Sequence, residues 1–583
     1  MTAYVNVTID GIRTQVPKMS TILEAAKQVN ITIPTLCHLQ MHNKDTVNRV
    51  ASCRICVVEV DGRRNLAPAC STKVSNDMVV RTHTPRVIRA RRTVMQLLLS
   101  NHPKDCLNCY ASGNCELQSL ADQMHTDTNR FDGESSNFVI ETSSEAITRD
   151  LNKCIRCRRC ETACNEMQTV GVLAGVDRGF QMVVGPAFLH PLEDTQCVFC
   201  GQCVKVCPTG ALMGKSYIED VWNEINDPDR IVVVQTAPAV RASIGEEFGL
   251  EPGHSVTGKL VAGLRRLGMN YVFDTNFAAD LTIMEEASEF LHRLQHGGRL
   301  PMLTSCCPAW VKFFEHQFQD MLDIPSTCKS PQEMFGAVAK TYWAEKMDID
   351  PSKVTVVSVM PCLSKKYEAS RNELSASGFQ DVDYVLSTRE LARMLKEAGI
   401  DFLNLPDDTF DNPLGFSTGG ADIFGVTGGV AESALRYAAE AVTGEELEDV
   451  DFEMVRGFEG LREAVVQLGD LDLKVAVACG LGNARRLLES IRAGECQYHL
   501  IEIMACPGGC IGGGGQPFVD SRVEADVLHK RIEAIYAEDA GKEIRSSHKN
   551  PHVHKLYKEF LDEPYGEKAH KYLHTCYEKR EKL

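Results

Sequence analysis

The chain has 583 residues, 24 cysteines and a formal net charge of −17, enough length for about four domains and too acidic for nucleic acid to be a main partner. Hydrophobic residues make up 44% and charged residues 24%, as in globular proteins, and no apolar run approaches the roughly 18 residues of a membrane span. The start, MTAYVNVTIDG, lacks the order of a secretory signal and a twin-arginine motif, which predicts a cytoplasmic protein whose cysteines are ligands rather than disulfides.

In chain order, YVNVTID alternates as a strand does, Asp10-Gly11 predicts a hairpin turn, and TQVPKM predicts a second strand. Ser20 is the expected N-cap of a helix over TILEAAKQV. Residues 1–78 thus read as a small sheet with one crossing helix, and carry Cys37, Cys53, Cys56 and Cys70. In residues 79–140 a helix over VIRARRTVMQLLLSN leads into HPKDCLNCYASGNC, with His102, Cys106, Cys109 and Cys115. Residues 141–220 hold a duplicated motif, CIRCRRCETAC and CVFCGQCVKVCP. Fifteen cysteines lie between Cys37 and Cys207, and the next is Cys306, so a string of small metal-bound modules precedes a larger domain. Residues 221–583 read as α/β. RIVVVQTAP, LPMLTSCCP, KVTVVSVMPC, LKVAVACG and YHLIEIMACPGGC are short, β-branched-rich runs, which predict buried, mostly parallel strands. In three of them a cysteine stands at or just past the strand's C-terminal end, where open α/β sheets place ligand sites.

The duplicated motif has the C-x2-C-x2-C-x3-C spacing of two-cluster ferredoxins, in which the fourth cysteine crosses to the other cluster. One 4Fe–4S cluster is therefore expected on Cys154, Cys157, Cys160 and Cys207, and another on Cys197, Cys200, Cys203 and Cys164; zinc knuckles are the plainer alternative. The bare spacing of Cys37, Cys53, Cys56 and Cys70 suits zinc about as well as 2Fe–2S, since the C-x4-C-x2-C of plant-type sites is absent. His102 with Cys106, Cys109 and Cys115 could be a Cys3His zinc site, or His102 an ordinary surface histidine. Taken in order, these three groups resemble the N-terminal part of the large iron–sulfur subunit of NADH dehydrogenases and of long-form iron-only (FeFe) hydrogenases. The resemblance implies a β-grasp 2Fe–2S domain, then a 4Fe–4S module with His102 as one ligand, then a two-cluster ferredoxin-like domain. No proline follows Cys164; that proline shapes a turn and binds no metal.

Cys307 in TSCCPAW, Cys362 in MPCLSKK, and Cys506 and Cys510 in ACPGGCIGGGGQP come from three separate strand ends. Cold, each reads as a buried structural thiol, but glycine at that density lets backbone press against something bulky. The three segments resemble the signature motifs of the FeFe-hydrogenase catalytic domain, and the similarity runs from about Asp227 to the C-terminus. It implies an α/β catalytic domain with a helical C-terminal tail and an H-cluster: a 4Fe–4S cubane on Cys307, Cys362, Cys506 and Cys510, with Cys510 bridging to a di-iron unit that carries CO, cyanide and an amine-bearing dithiolate. The cofactor set is then one 2Fe–2S cluster, three accessory 4Fe–4S clusters and the H-cluster. Adjacent side chains on extended backbone face opposite ways, so both rarely serve one metal centre; the resemblance implies that Cys307 is the ligand and Cys306 the spare thiol, which in the family carries protons. A thiol with a pKa near ~8.5 both gives and takes protons near neutrality. Glu286 and Glu289, three apart on one face of the helix expected over LTIMEEASEF, would be solvated acids if read alone; the resemblance makes them, with Ser326, the relay outward from Cys306. It also implies that Lys365 offers its ammonium to a cyanide and that Pro238, Gln332 and Met360 line the pocket. Three departures from the family pattern, Ala309 for glycine, Leu363-Ser364 for Thr-Ala and Ala239 for serine, are expected to alter the pocket. Cys328, Cys479, Cys496 and Cys576 read as structural.

The implied reaction is reversible H2 oxidation and proton reduction. Hydrogenase-like assembly proteins, an NADH-dehydrogenase subunit and a sensory hydrogenase are alternatives; the first two have no use for Cys306, Glu286, Glu289 and three complete cysteine motifs, and no regulatory module is evident for the third. No G-x-G-x-x-G follows a strand and there is no P-loop, so the expected electron partners are flavin- and NAD(P)-binding iron–sulfur subunits in a hetero-oligomer, electron-bifurcating complexes included, or ferredoxin for a monomeric enzyme.

Overall fold

The computed structural model describes residues 3–40, 50–127, 130–447, 449–457, 460–468 and 471–581. The strand Tyr4–Ile9 buries Val5, Val7 and Ile9 and leaves the residues between them more exposed, the alternation expected of a sheet with one wet face. Asp10 and Gly11 both adopt positive φ, the geometry of a two-residue hairpin turn. The sheet grows to five strands, in the order Ile12–Pro17, Tyr4–Ile9, Met78–Arg81, Val57–Val60 and Ala67–Pro68, with Tyr4–Ile9 and Met78–Arg81 parallel. Helix Ile22–Gln28 is capped by Thr21, one residue after the expected Ser20. Thr21 Oγ1 accepts from Glu24 N at 3.2 Å and Thr21 N donates to Glu24 Oε2 at 2.6 Å; the T-x-x-E box satisfies two helix-end groups at once.

Helix Pro85–Ser100, capped by Thr84 with proline at its first turn, carries the chain into the second cysteine group. The duplicated motif folds into two short antiparallel pairs, Ile147–Arg149 with Leu212–Gly214 and Ala174–Val176 with Val183–Gly185.

Two four-stranded sheets frame the rest. The first, all parallel, runs Tyr271–Asp274, Ile231–Thr236, Val354–Met360 and Tyr384–Ser387. The second runs Met302–Leu303, Leu500–Met504, Leu471–Cys479 and Leu461–Leu468, with only the last pair antiparallel. Tyr271–Asp274, Tyr384–Ser387 and Leu461–Leu468 were not among the expected strands. The first two are four residues long, too short to stand out from the helices they precede; the third is half-exposed and lacks a continuous apolar run. Helix Thr275–His296 crosses between the sheets with Thr275–Ala287, Glu289 and Phe290 all buried. After residue 523 the chain is helical, with Glu524–Ala540, Pro551–Leu556 and Glu567–Leu573, and returns to the core where His574 pairs antiparallel with Cys328. No helix among the described residues is long and apolar enough to cross a membrane.

Candidate active site

The structure gathers the cysteines into groups. Cys37, Cys53, Cys56 and Cys70 form one buried knot, in which Cys56 Sγ lies 3.3 Å from Cys70 Sγ and Cys37 bonds to Cys53 and Cys70. Cys115 feels the charges of Cys109 and Cys106. Burial, and then Lys153, lowers His102 to about 4, so its imidazole is neutral and fit to be a ligand. In the duplicated motif Cys154, Cys157 and Cys160 each feel Cys207, whereas Cys197, Cys200 and Cys203 feel Cys164. The fourth cysteine of each copy therefore stands beside the other copy's first three.

The strand-end cysteines converge between the two sheets. Cys307 precedes helix Pro308–Gln317, Cys362 follows strand Val354–Met360, and Cys506 and Cys510 follow strand Leu500–Met504. Burial raises all four thiols; Cys362 and Cys307 then act on Cys506 and on Cys510. Four thiols brought together, Cys362 and Cys506 buried and Cys307 and Cys510 half-buried, are costly unless something takes them as thiolates, and that donor set fits an iron–sulfur cubane. Cys306 and Cys307 divide as alternation predicts. Cys307 packs with Ala309, Trp310 and Ala505 in one apolar cluster, and Cys306 packs with Ile283, Phe290 and Met302 in another.

The residues expected to line the pocket are all buried. Pro238 opens the helix Pro238–Arg241 and Met360 ends its strand, both buried. Gln332 Nε2 donates to Glu333 Oε1 at 2.6 Å, while its Oε1 has no partner among the described residues. Lys365 Nζ donates to Glu368 Oε2 at 2.7 Å and to the Cys306 carbonyl at 3.1 Å. An ammonium has three donors, which leaves one for a further ligand. Ala239 packs against Gly425. The glycine-rich turn presses on other backbone: a Cβ on Gly513 would meet Pro361 O at 2.2 Å, and one on Gly514 would meet Gly201 Cα at 2.7 Å. Leu363 does not face the pocket as expected. It packs in the ferredoxin-like core against Gly201 and Gly214, and Ser364 Oγ donates to Val198 O at 3.0 Å.

Outward from Cys306, Glu286 and Glu289 are each 1% exposed, not solvated. Burial, and then the charge of Glu289, pushes Glu286 up to about 8. Glu286 Oε1 accepts from Ser305 N at 3.3 Å, and its Oε2 has no partner among the described residues. Ser326 Oγ donates to Glu289 Oε2 at 2.9 Å. Two neighbours of Glu289 escaped the sequence reading. Arg293, one turn on, donates to Glu289 Oε1 and stands near the surface, a partner that i,i+4 spacing on this helix could have suggested. Cys328, read as structural, points Sγ at Glu289 Oε2 across 3.8 Å; no local pattern signals that contact.

Groups of cysteines beside buried acids are the arrangement of an iron–sulfur oxidoreductase. Residues 230–514 match the family model for the C-terminal domain of the iron-only hydrogenase large subunit, and residues 525–580 that for the iron hydrogenase small subunit. Residues 2–85 match a 2Fe–2S cluster binding domain, 91–130 an NADH-ubiquinone oxidoreductase-G iron–sulfur binding region, and 153–211 a 4Fe–4S dicluster domain. The chain is 59% identical to the NADP-reducing hydrogenase subunit HndD of Solidesulfovibrio fructosivorans, over all of both chains. It is 38% identical to iron hydrogenase 1 of Clostridium pasteurianum over 98% of this chain and 99% of that one. Structures of the FeFe-hydrogenase HydA1 from Chlamydomonas reinhardtii align with a TM-score of 0.56 and 41% identity, covering 63% of this chain and 99% of theirs. The chain belongs to the iron-only (FeFe) hydrogenases, oxidoreductases that act on hydrogen.

Proposed function

We propose that this chain is the hydrogen-converting subunit of a cytoplasmic NAD(P)-linked complex, the reading supported by its full-length likeness to a protein named as an NADP-reducing hydrogenase subunit. Cys37, Cys53, Cys56 and Cys70 hold a 2Fe–2S cluster, and His102, Cys106, Cys109 and Cys115 a 4Fe–4S cluster. The two ferredoxin-like quartets hold one 4Fe–4S cluster each, and Cys307, Cys362, Cys506 and Cys510 hold the cubane of the H-cluster. When bound, the di-iron unit supplies the metal and the amine between which H2 is split or formed.

The chain's own residues handle the proton. Cys306 gives it to or takes it from that amine, and Glu286, Ser326 and Glu289 relay it outward in that order, with the fixed charge of Arg293 beside Glu289 at the outer end. Glu286 Oε2 has no partner among the described residues, and Ser326 joins Glu289 by a hydroxyl that can accept one proton as it donates another. Burial keeps bulk water out, so exchange follows side chains. Lys365 has one donor left beyond Glu368 and the Cys306 carbonyl, and Gln332 Oε1 has no partner among the described residues, so both can serve a further ligand.

The opposite packing of Cys306 and Cys307 carries this reading. Cys306→Ser keeps a small polar group but a far weaker acid. It is expected to retain the infrared bands of CO and cyanide while losing turnover by about 10²–10⁴-fold. Cys307→Ser is expected to lose the cubane and those bands with it. Near-normal hydrogen evolution by Cys306→Ser sinks the shuttle assignment.

A further inference from the structure

Lys312 is a buried cation with no part in the proton relay. It stands on helix Pro308–Gln317, which starts directly after Cys307, and is 4% exposed. Its Nζ donates to the Cys197 carbonyl at 2.7 Å and lies 4.1 Å from the centre of the Phe199 ring and 4.8 Å from that of Tyr367. Phe199 stands between Cys197 and Cys200, Tyr367 on the helix that follows Cys362, and their ring centres are 5.4 Å apart. Ser364 Oγ donates to the next carbonyl, that of Val198. Two side chains of the catalytic domain thus hold the loop that carries Cys197 and Cys200, and one of them brings a charge.

Among the described residues no carboxylate forms an ion pair with Lys312. Glu315, three residues on, is shared by Arg371 and Arg580, and Glu193 is exposed. Lys153, Arg159 and Lys365 also act on assigned cysteines, but each has a carboxylate of its own: Asp150 at 3.0 Å, Glu116 in a two-pronged bond, and Glu368 at 2.7 Å. Two aromatic faces and one carbonyl soften the cost of burying the Lys312 ammonium, but they do not neutralise it. Burial acts most strongly against its charge, Cys197 acts next and in its favour, and Arg580, Glu315 and Glu193 act less. A buried cation without a carboxylate calls for an anion nearby, and a thiolate-bound cluster is one.

We propose that Lys312 is the counter-charge of the 4Fe–4S cluster assigned to Cys164, Cys197, Cys200 and Cys203, and that it raises the reduction potential of that cluster. The inference rests on the cluster assignment proposed above. One-electron reduction adds one negative charge to the cluster and its thiolates, and a fixed positive charge in a water-poor contact favours the reduced form. The ammonium keeps its proton throughout, so no proton step is involved. Lys312 touches no substrate; it acts through the quartet beside it. The effect centres on this quartet, because the cations named above are neutralised at close range. An electron is therefore held more stably at the quartet that packs against the catalytic domain, where Cys200 feels Cys362.

The test is a redox titration of the fully matured enzyme at one fixed pH, followed by electron paramagnetic resonance. The cluster is identified as the signal that Cys197→Ser loses or alters. Lys312→Met has an uncharged side chain of similar length. In it, the equilibrium constant for reducing that cluster is expected to fall about tenfold, ~59 mV for one electron. The other accessory clusters are expected to keep their native midpoints, and the infrared bands of CO and cyanide to stay unchanged. Lys312→Gln keeps a donor for the Cys197 carbonyl and is expected to show the same shift, while Lys312→Arg keeps the charge and the native midpoint. A native midpoint in Lys312→Gln overturns the counter-charge whether or not Lys312→Met folds, and so does an equal shift of every accessory cluster. If Cys197→Ser leaves every signal native, the cluster assignment falls as well; a signal that depends on Cys197 but not on the charge at Lys312 removes only the counter-charge.

Discussion

Glu286 is the residue on which the proposed relay turns, because it is held as a neutral acid where a carboxylate would be expected. Burial, and then the charge of Glu289, lifts it from its ordinary 4.5 to about 8, so at pH 7 the folded protein carries a proton that the unfolded chain releases. The sign follows from linkage. This group's contribution to stability is complete below about pH 4.5 and is lost as pH rises through about 8. An acid near 8 also suits two-way traffic near neutrality, since it can both donate and be reloaded. Infrared difference spectra are expected to contain a carboxylic C=O band at pH 7 that titrates away near pH 8 and is absent from Glu286→Gln, and that variant is expected to lose at least about 10²-fold in turnover. A band missing from the native enzyme at pH 7 refutes the neutral-acid assignment. Glu286 and Glu289 were visible in the sequence because helical spacing puts i and i+3 on one face. Arg293 lay within reach of the same rule at i+4. Thr327, Cys328 and His574 did not, because what makes them neighbours of Glu289 is the pairing of two segments far apart in the chain.

At the scale of elements, the contact that matters most joins two turns. Gly201 begins helix Gln202–Lys205 at φ +73, and its backbone lies against Gly514 in the glycine-rich turn after Cys510. A Cβ on Gly514 would meet Gly201 Cα at 2.7 Å and Gly201 C and O at 2.9 Å. All three atoms are backbone, so a turn must move. This closeness brings Cys200 near enough to act on Cys362 and Cys506, and Leu363 fixes it from the other side by filling the space between Gly201 and Gly214. Gly514→Ala is expected to cost ~1–3 kcal/mol of stability, as overpacking does, and to widen the gap between the ferredoxin-like and catalytic quartets. Isotope exchange between H2 and water needs no net electron transfer and is expected to stay within about twofold of native, while viologen-driven evolution, fed through the accessory quartets, falls several-fold. Equal losses in both assays refute the idea that this contact serves electron transfer. The sequence showed that glycine here meant close approach, but not to what. The departure from the family's Thr-Ala also suggested that Leu363-Ser364 alters the pocket; the side chains turn away into the neighbouring domain, and direction at a strand end depends on packing that no local pattern encodes.

The whole molecule gathers its accessory groups at one place. Leu36, Cys37, Cys53 and Ile55, then Met95, Leu99, Ala111, Cys115 and Leu117, then Cys157 share a single apolar cluster, so the two N-terminal modules both abut the ferredoxin-like domain instead of following one another in series. Modules of this size are expected to pack mainly on themselves, and chain order alone favoured that view. Removing residues 1–78 would strip apolar cover from Cys115 and Cys157, so the port for the electron partner is better sought with surface substitutions. Of the cysteines assigned to clusters, only Cys106 is exposed, and beside it Leu107 is 96% exposed. An apolar side chain projecting next to an exposed ligand is where a partner could approach closely and be held by burial on docking. In the first module all four cysteines are buried, although Met19 offers a similarly exposed side chain at 72%. Leu107→Asp touches no packed group. In the reconstituted complex with a flavin-bearing NAD(P) subunit, it is expected to reduce NAD(P)-coupled hydrogen evolution about tenfold or more, while viologen-driven evolution and the spectra of the accessory clusters stay native. Met19→Asp is expected to change neither rate. The reverse pattern would move the port to the first module, and native coupled rates in both variants would remove this face from electron exchange with the partner.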